Sequence, residues 1–196
     1  MPCNNFNENY CMSYESSDGY KIRDQFALHF LTFTVEGWID IFTRKLFRDI
    51  VLTNLTFCRK NKGLVLGSYV IMTNHIHLIA RSEKGDLSGW IRDFKSFTTK
   101  NIIDAIQSGK ESRKEWLLYM FKFFANKTNR NELYKLWTGN NHPEEIRTQA
   151  FLETKLNYIH QNPVRAGWVL NATDYLYSSA SNYANGNGLI EIDHLL

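Results

Sequence analysis

Tyr69-Val70-Ile71-Met72-Thr73-Asn74-His75-Ile76-His77-Leu78-Ile79-Ala80 is the stretch whose reading decides the fold. It consists of two extended runs, rich in apolar and β-branched residues, that meet at Thr73-Asn74. Asn74 is a turn former, so the pair reads as neighbouring strands. Alternate residues of a strand point to the same face, which places His75 and His77 together on one side of the second run. Two imidazoles on one face of a rigid strand form half a site for a divalent metal. Taken alone, a His-x-His is equally well a pair of unrelated strand residues, one of them a hydrogen-bonded core histidine.

Working outward, Phe26 to Val35 is aromatic and β-branched and stops at Glu36-Gly37, which predicts a first strand. A helix capped by Thr43 should follow, with Leu46, Phe47, Ile50, Val51, Leu55 and Phe57 on one face and Gly63 as its stop. Leu64 to Thr73 and His75 to Arg81 are the two strands of the quoted stretch. Leu87 to Gln107 is the next helix, with Trp90, Ile91, Phe94, Phe97, Ile102 and Ala105 at helical spacing, and Glu111 to Asn126 another. Tyr134 to Trp137 reads as a short strand, and a final helix is expected from Glu144 to Gln161, interrupted at Asn162-Pro163. This order predicts an α+β, ferredoxin-like sandwich: an antiparallel sheet with helices packed mainly on one face and the histidine strand central. Residues 1–22 read as a flexible lead-in and 23–196 as a single domain.

Composition narrows the function classes. The chain has 196 residues, 43% of them hydrophobic and 14% aromatic, enough for a sizeable core. Its net charge of +3 permits a nucleic-acid partner without demanding one. Cys3, Cys11 and Cys58 have no Cys-x-x-Cys spacing, so free thiols in a reducing cytoplasm are expected rather than a disulfide framework. Neither a signal peptide nor a membrane span is evident, and the expected location is cytoplasmic.

A second constellation lies in Leu156-Asn157-Tyr158-Ile159-His160-Gln161-Asn162-Pro163-Val164-Arg165-Ala166-Gly167. On a helix, Tyr158 and Asn162 fall on the same side. A free phenol loses its proton only at about pH 10, so it acts as a nucleophile when a metal polarises the electrophile or a base removes the proton. A phosphodiester beside a histidine-bound metal is such an electrophile. Taken locally, the simpler reading is that Tyr158 is an amphipathic core tyrosine and Asn162 a plain cap.

Four segments together resemble a known family. They are Tyr69 to Leu78, Phe94-Lys95-Ser96-Phe97-Thr98, Tyr158 to Val169, and Tyr175-Leu176-Tyr177-Ser178-Ser179-Ala180. In this order they look like the REP-associated tyrosine transposases, relatives of the single-tyrosine HUH transposases of bacterial insertion sequences. The resemblance runs from about Phe26 to the C-terminus, and residues 111–131 look like a helical insertion relative to shorter members. Thr73 stands where the family usually has proline before Asn-His.

The resemblance implies an HUH endonuclease fold and a transposase-like mechanism. His75 and His77 would be the HUH pair holding one divalent ion, Mg²⁺ or Mn²⁺. Asn162 would be the third ligand where related transposases use Gln; its shorter reach leaves His160 and Gln161 as alternatives. Tyr158 would attack single-stranded or hairpin DNA, giving a 5′-phosphotyrosine and a free 3′-hydroxyl. Lys95, Lys100 and Arg165 are the DNA-contact candidates, with Arg59, Lys60 and Lys62 as a further basic cluster. Trp38 and Trp168 could stack on unpaired bases, although core packing is the commoner role for tryptophan. A homodimer stays open. Two other readings compete: a hairpin-binding regulator without used cleavage, and a phosphodiesterase in which water attacks.

Overall fold

The computed structural model describes residues 21–128 and 132–195. The expected lead-in at 1–22 therefore falls almost wholly outside the described residues.

Four strands form one sheet in the order β2-β3-β1-β4, with β1 at His29–Thr34, β2 at Leu64–Ile71, β3 at His75–Ser82 and β4 at Glu144–Glu145. Every pairing is antiparallel. The β2–β3 turn closes without proline: the Met72 N–H donates to the His75 carbonyl at 2.9 Å. As expected, the histidine strand is interior.

Register sorts the side chains. His77 lies opposite Thr32 on β1 and Val70 on β2, so Phe30, Thr32, Ser68, Val70, His75 and His77 share one face. Leu31, Phe33, Tyr69, Ile71, Ile76 and Leu78 share the other.

The second face carries the main core under α1 (Lys45–Lys62) and α2 (Leu87–Ser108). Helix α2 buries Leu87, Trp90, Ile91, Phe94, Thr98 and Ile102, a single helical stripe. Its start is fixed by Asp86, whose carboxylate accepts from the Gly89 N–H at 2.9 Å. Phe94 meets Phe33 with ring centroids 5.2 Å apart; full burial of one such side chain contributes about 2–3 kcal/mol. Helix α1 departs from its predicted cap. Arg44 holds the N-cap position without a side-chain bond, and Thr43 Oγ1 instead donates to the Asp40 carbonyl, tying a short 3₁₀ turn. Its buried arc is Phe47, Val51, Leu52, Leu55 and Cys58, which turns Leu46 and Phe57 out to solvent. Gly63 ends it at φ +69°, a left-handed cap as anticipated.

Helix α4 (Gln149–Arg165) packs on the first face, over the histidine side of the sheet. Two sequence expectations fail at its ends. Glu144 does not begin the helix: Glu144 and Glu145 pair with Phe30 and His29 as a two-residue edge strand. The helix starts at Gln149, where Thr148 Oγ1 accepts from the Phe151 N–H at 3.2 Å. Nor does Pro163 break it. Pro163 sits in the last turn, where its missing N–H forfeits one helical bond. That turn closes as a Schellman motif: Trp168 N–H donates to the Pro163 carbonyl, Gly167 N–H to the Val164 carbonyl, and Gly167 takes φ +73°.

Helix α3 (Lys114–Asn126) lies within the segment read as an insertion, and residues 129–131 of that segment fall outside the described residues. Tyr134 to Trp137 forms a single bridge, Val35 with Trp137, in place of the expected strand. The outer edge of β2 is paired by the C-terminal part of the chain, on either side of α5 (Ala180–Asn185). Ile71 N–H donates to the Tyr177 carbonyl, Ser179 N–H to the Tyr69 carbonyl and Asp193 N–H to the Leu66 carbonyl. No helix among the described residues is long and apolar enough to cross a membrane.

Candidate active site at the β3–α4 junction

The rings of His75 and His77 lie 4.8 Å apart, centroid to centroid, as their shared strand face requires. Each has one nitrogen held. His75 Nδ1 is 2.8 Å from Asn74 Oδ1, and His77 Nδ1 is 2.9 Å from Thr32 Oγ1. The Asn74 amide is itself oriented, because its Nδ2 donates to the Trp38 carbonyl at 3.3 Å. Asn74 Oδ1 therefore accepts from His75 Nδ1–H, which leaves Nε2 of His75 with its lone pair.

Burial keeps both rings neutral. It lowers His75 below the ordinary histidine value and pushes His77 down to about 3; Lys155 and Arg165, and His75 were it protonated, add to the effect by repulsion. Neutral imidazoles with one nitrogen anchored by an outer partner are the form in which histidine binds metal. The pair thus fits a divalent ion. Among the described residues no third His, Cys, Asp or Glu joins them, so a further protein ligand would have to be of another type.

Helix α4 brings Tyr158 to this pair. Its ring lies 5.2 Å from that of His77 and 5.8 Å, edge-on, from Phe30, and it is 39% exposed. Phe30 in turn stacks on His77 at 5.2 Å. The tyrosine is therefore packed against His77 and Phe30 on its inner side and partly open to solvent. Asn162 lies one turn further along the same helix, partly buried. His160 points elsewhere: its Nε2 is 3.0 Å from Ser179 Oγ and 3.3 Å from Ser68 Oγ, and burial pushes it down to about 4. Of the two alternative ligands, His160 is thus engaged on the β2 side of α4.

The cations divide. Arg165 sits over the Tyr158 ring at 4.4 Å and donates to the Tyr158 carbonyl at 3.1 Å. Lys95 and Lys100 lie on α2, across the sheet from the histidines. There they line a groove of about 840 Å³ with Tyr134 and Trp137, and Lys95 Nζ donates to the Thr138 carbonyl at 2.7 Å. Arg59 and Lys62 are paired with Asp193 and Asp93. Sequence reasoning missed Lys155, whose Nζ lies 4.3 Å from the Phe30 ring centroid and 6.0 Å from that of Tyr158, held by Glu144. Its spacing of one helical turn before Tyr158 was the available signal. Trp38 is no core residue: it is 66% exposed, and its ring meets His75 at 6.4 Å. Trp168 packs on Tyr175.

The sequence matches no protein-family model and no curated protein. The fold is similar to a solved structure of a REP-associated tyrosine transposase bound to a REP hairpin. The TM-score is 0.56 and the identity 18%, over 89% of this chain and 88% of that one. At this identity the likeness is one of fold, an α+β arrangement that here is built on a four-stranded antiparallel sheet.

Proposed function

We propose that the protein cleaves and rejoins single-stranded DNA beside a hairpin, with Tyr158 as the nucleophile. The observation that carries this reading is the meeting of Tyr158 from α4 with His77 of β3, ring centroids 5.2 Å apart, where the His77 ring is itself 4.8 Å from that of His75. The similarity of fold to a transposase bound to a hairpin supports it.

In this reading His75, His77 and the Asn162 amide would hold one Mg²⁺ or Mn²⁺. That ion would supply Lewis-acid stabilisation of the phosphoryl oxygens. Tyr158 Oη attacks the phosphorus and gives up its proton, the bond from phosphorus to the 3′-oxygen breaks, and that oxygen leaves and is protonated. The products are a 5′-phosphotyrosine and a free 3′-hydroxyl. Attack by a 3′-hydroxyl on the phosphotyrosine reverses the step and joins strands. Arg165 and Lys155 place positive charge around the tyrosine, where an incoming phosphate gains most from it. Asn74 and Thr32 fix the imidazoles so that little reorganisation is needed at the moment of reaction.

Incubation with single-stranded hairpin DNA and Mn²⁺, followed by a denaturing gel, tests the proposal. A covalent protein–DNA adduct is expected. Cleavage without an adduct would assign the attack to water, and hairpin binding without cleavage would make the protein a regulator.

A further inference from the structure

We infer that Trp38 is a stacking platform for an unpaired DNA base next to the bond that is cut, and that the aromatic face of α3 extends this platform. The inference rests on the single-strand reading above and names the side chains that would recognise the strand.

Trp38 has φ +56°, in the left-handed region that a bulky residue rarely enters. Gly37 precedes it at φ +63°, and a Cβ there would come within 2.7 Å of the Phe124 ring. The chain therefore makes two consecutive left-handed steps, only one of them at a glycine. Such strain persists where the surroundings fix it, and it gathers at functional sites. Here the surroundings do fix it. The Trp38 N–H donates to the Val35 carbonyl at 3.0 Å and the Trp38 carbonyl accepts from Asn74. The Arg113 guanidinium reaches the Asp40 carbonyl at 3.4 Å.

The effect of this backbone is to hold an indole in solvent beside a metal-site histidine. The Trp38 ring is 66% exposed and meets His75 edge-on, with an interplanar angle of 68°. An indole left mostly in solvent gains little from burial; beside a phosphodiester-cleaving centre its free face suits a base. Nearby, Arg44 and Arg113 both reach Glu111, which places two guanidiniums at the rim where a phosphate could meet them, alongside the exposed Asp40.

The aromatic surface continues from there. Phe124 lies against Gly37 and meets Phe123 at 5.6 Å, and Phe123 stacks with Tyr119 at 6.4 Å. Tyr119 and Phe123 are exposed, as is Trp116 one turn earlier, and Lys127 sits over Phe123 at 4.3 Å. Exposed rings with interleaved cations, running from the histidines along α3, are what a single strand follows without regard to sequence. A duplex, whose bases are already stacked, cannot use such a track.

The test uses the full chain and three probes: an oligothymidylate, an abasic phosphodiester strand of the same length, and a blunt duplex. Trp38→Gly removes the indole and suits the positive φ, so its melting temperature should equal or exceed that of the parent. It should bind oligothymidylate about tenfold more weakly, from the stacking of one base. Binding to the abasic strand and the duplex should not change. Trp38→Phe should keep most of the affinity, and Phe123→Ala should weaken oligothymidylate binding in the same selective way. Equal oligothymidylate affinity in Trp38→Gly and parent would overturn the inference and leave the indole as a contact for another protein. A parent that does not prefer oligothymidylate to the abasic strand would overturn it too. Adduct formation reports on Tyr158 separately: an adduct with no Trp38 effect sinks the platform alone, and a Trp38 effect with no adduct sinks the nucleophile alone.

Discussion

Tyr158 lies with its ring 5.2 Å from that of His77, although the two residues come from a helix and a strand far apart in sequence. Nothing local requires the meeting. It depends on α4 lying across the first face of the sheet, where Leu152, Ile159 and Pro163 are buried. Tyr158 and the paired imidazoles are thereby held by two rigid elements rather than by loops.

His75 and His77 should behave as a unit. His75→Ala and His77→Ala should each suppress Mn²⁺-dependent cleavage strongly, and the double variant should be little worse than either single one. Cleavage rates at limiting Mn²⁺ provide the check. Near-normal cleavage in one single variant would remove that histidine from the site.

Thr32 holds the His77 ring through its hydroxyl, so on the proposed reading it acts as a positioning residue. Thr32→Val removes the hydroxyl 2.9 Å from His77 Nδ1 and leaves a buried ring nitrogen without its partner. The expected cost is about 1–3 kcal/mol in stability and on the order of tenfold to a hundredfold in metal affinity. Thr32→Ser should restore most of the metal affinity. If Thr32→Val shifted thermal stability alone, with Mn²⁺ titration unchanged, the hydroxyl would be merely structural.

Binding should favour single-stranded or hairpin DNA over plain duplex and should weaken log-linearly with salt, because phosphate contacts release counterions. Anisotropy titrations over a salt series measure both. A flat salt response, or equal affinity for a blunt duplex, would contradict a phosphate-tracking site.

The C-terminal seal on β2 should be acid-sensitive. Burial raises the Asp193 carboxyl, but the Arg59 guanidinium and the Leu66 N–H outweigh it and hold it below the ordinary aspartate value. Its folded value is therefore the lower one. The stability it contributes is present above the unfolded value and is lost as pH falls through the folded one. Asp193→Asn should cost about 1–2 kcal/mol at neutral pH, through weakened charge-assisted bonds. It should also flatten the loss of stability below about pH 4. Melting curves at neutral and acid pH check the sign.

How far the fold was legible depended on how much of each element is decided locally. Strands β1 to β3 and helix α2 were readable because apolar periodicity, Asn74, Gly63 and Asp86 act at short range. β4 was not, because Glu144 and Glu145 are strong helix formers that become a strand only through tertiary pairing with His29 and Phe30. Pro163 looked like a break because the cost of proline depends on position, and the last turn tolerates it. Within the site, the spacing of His75 and His77 was legible from the strand period alone. That Tyr158 reaches them was expected only through a family resemblance. Lys155 at the site, and Lys95 and Lys100 across the sheet from it, follow from packing that no local pattern encodes.

The most direct measurement of the central claim compares Tyr158→Phe with the parent on single-stranded hairpin DNA in Mn²⁺. Phenylalanine keeps the ring against His77 and under Arg165 and removes only the phenolic oxygen. The account predicts a covalent adduct with the parent, none with Tyr158→Phe, and hairpin affinity nearly equal in the two. Full cleavage by Tyr158→Phe would contradict it, since the attacking oxygen would then belong to water or to another residue.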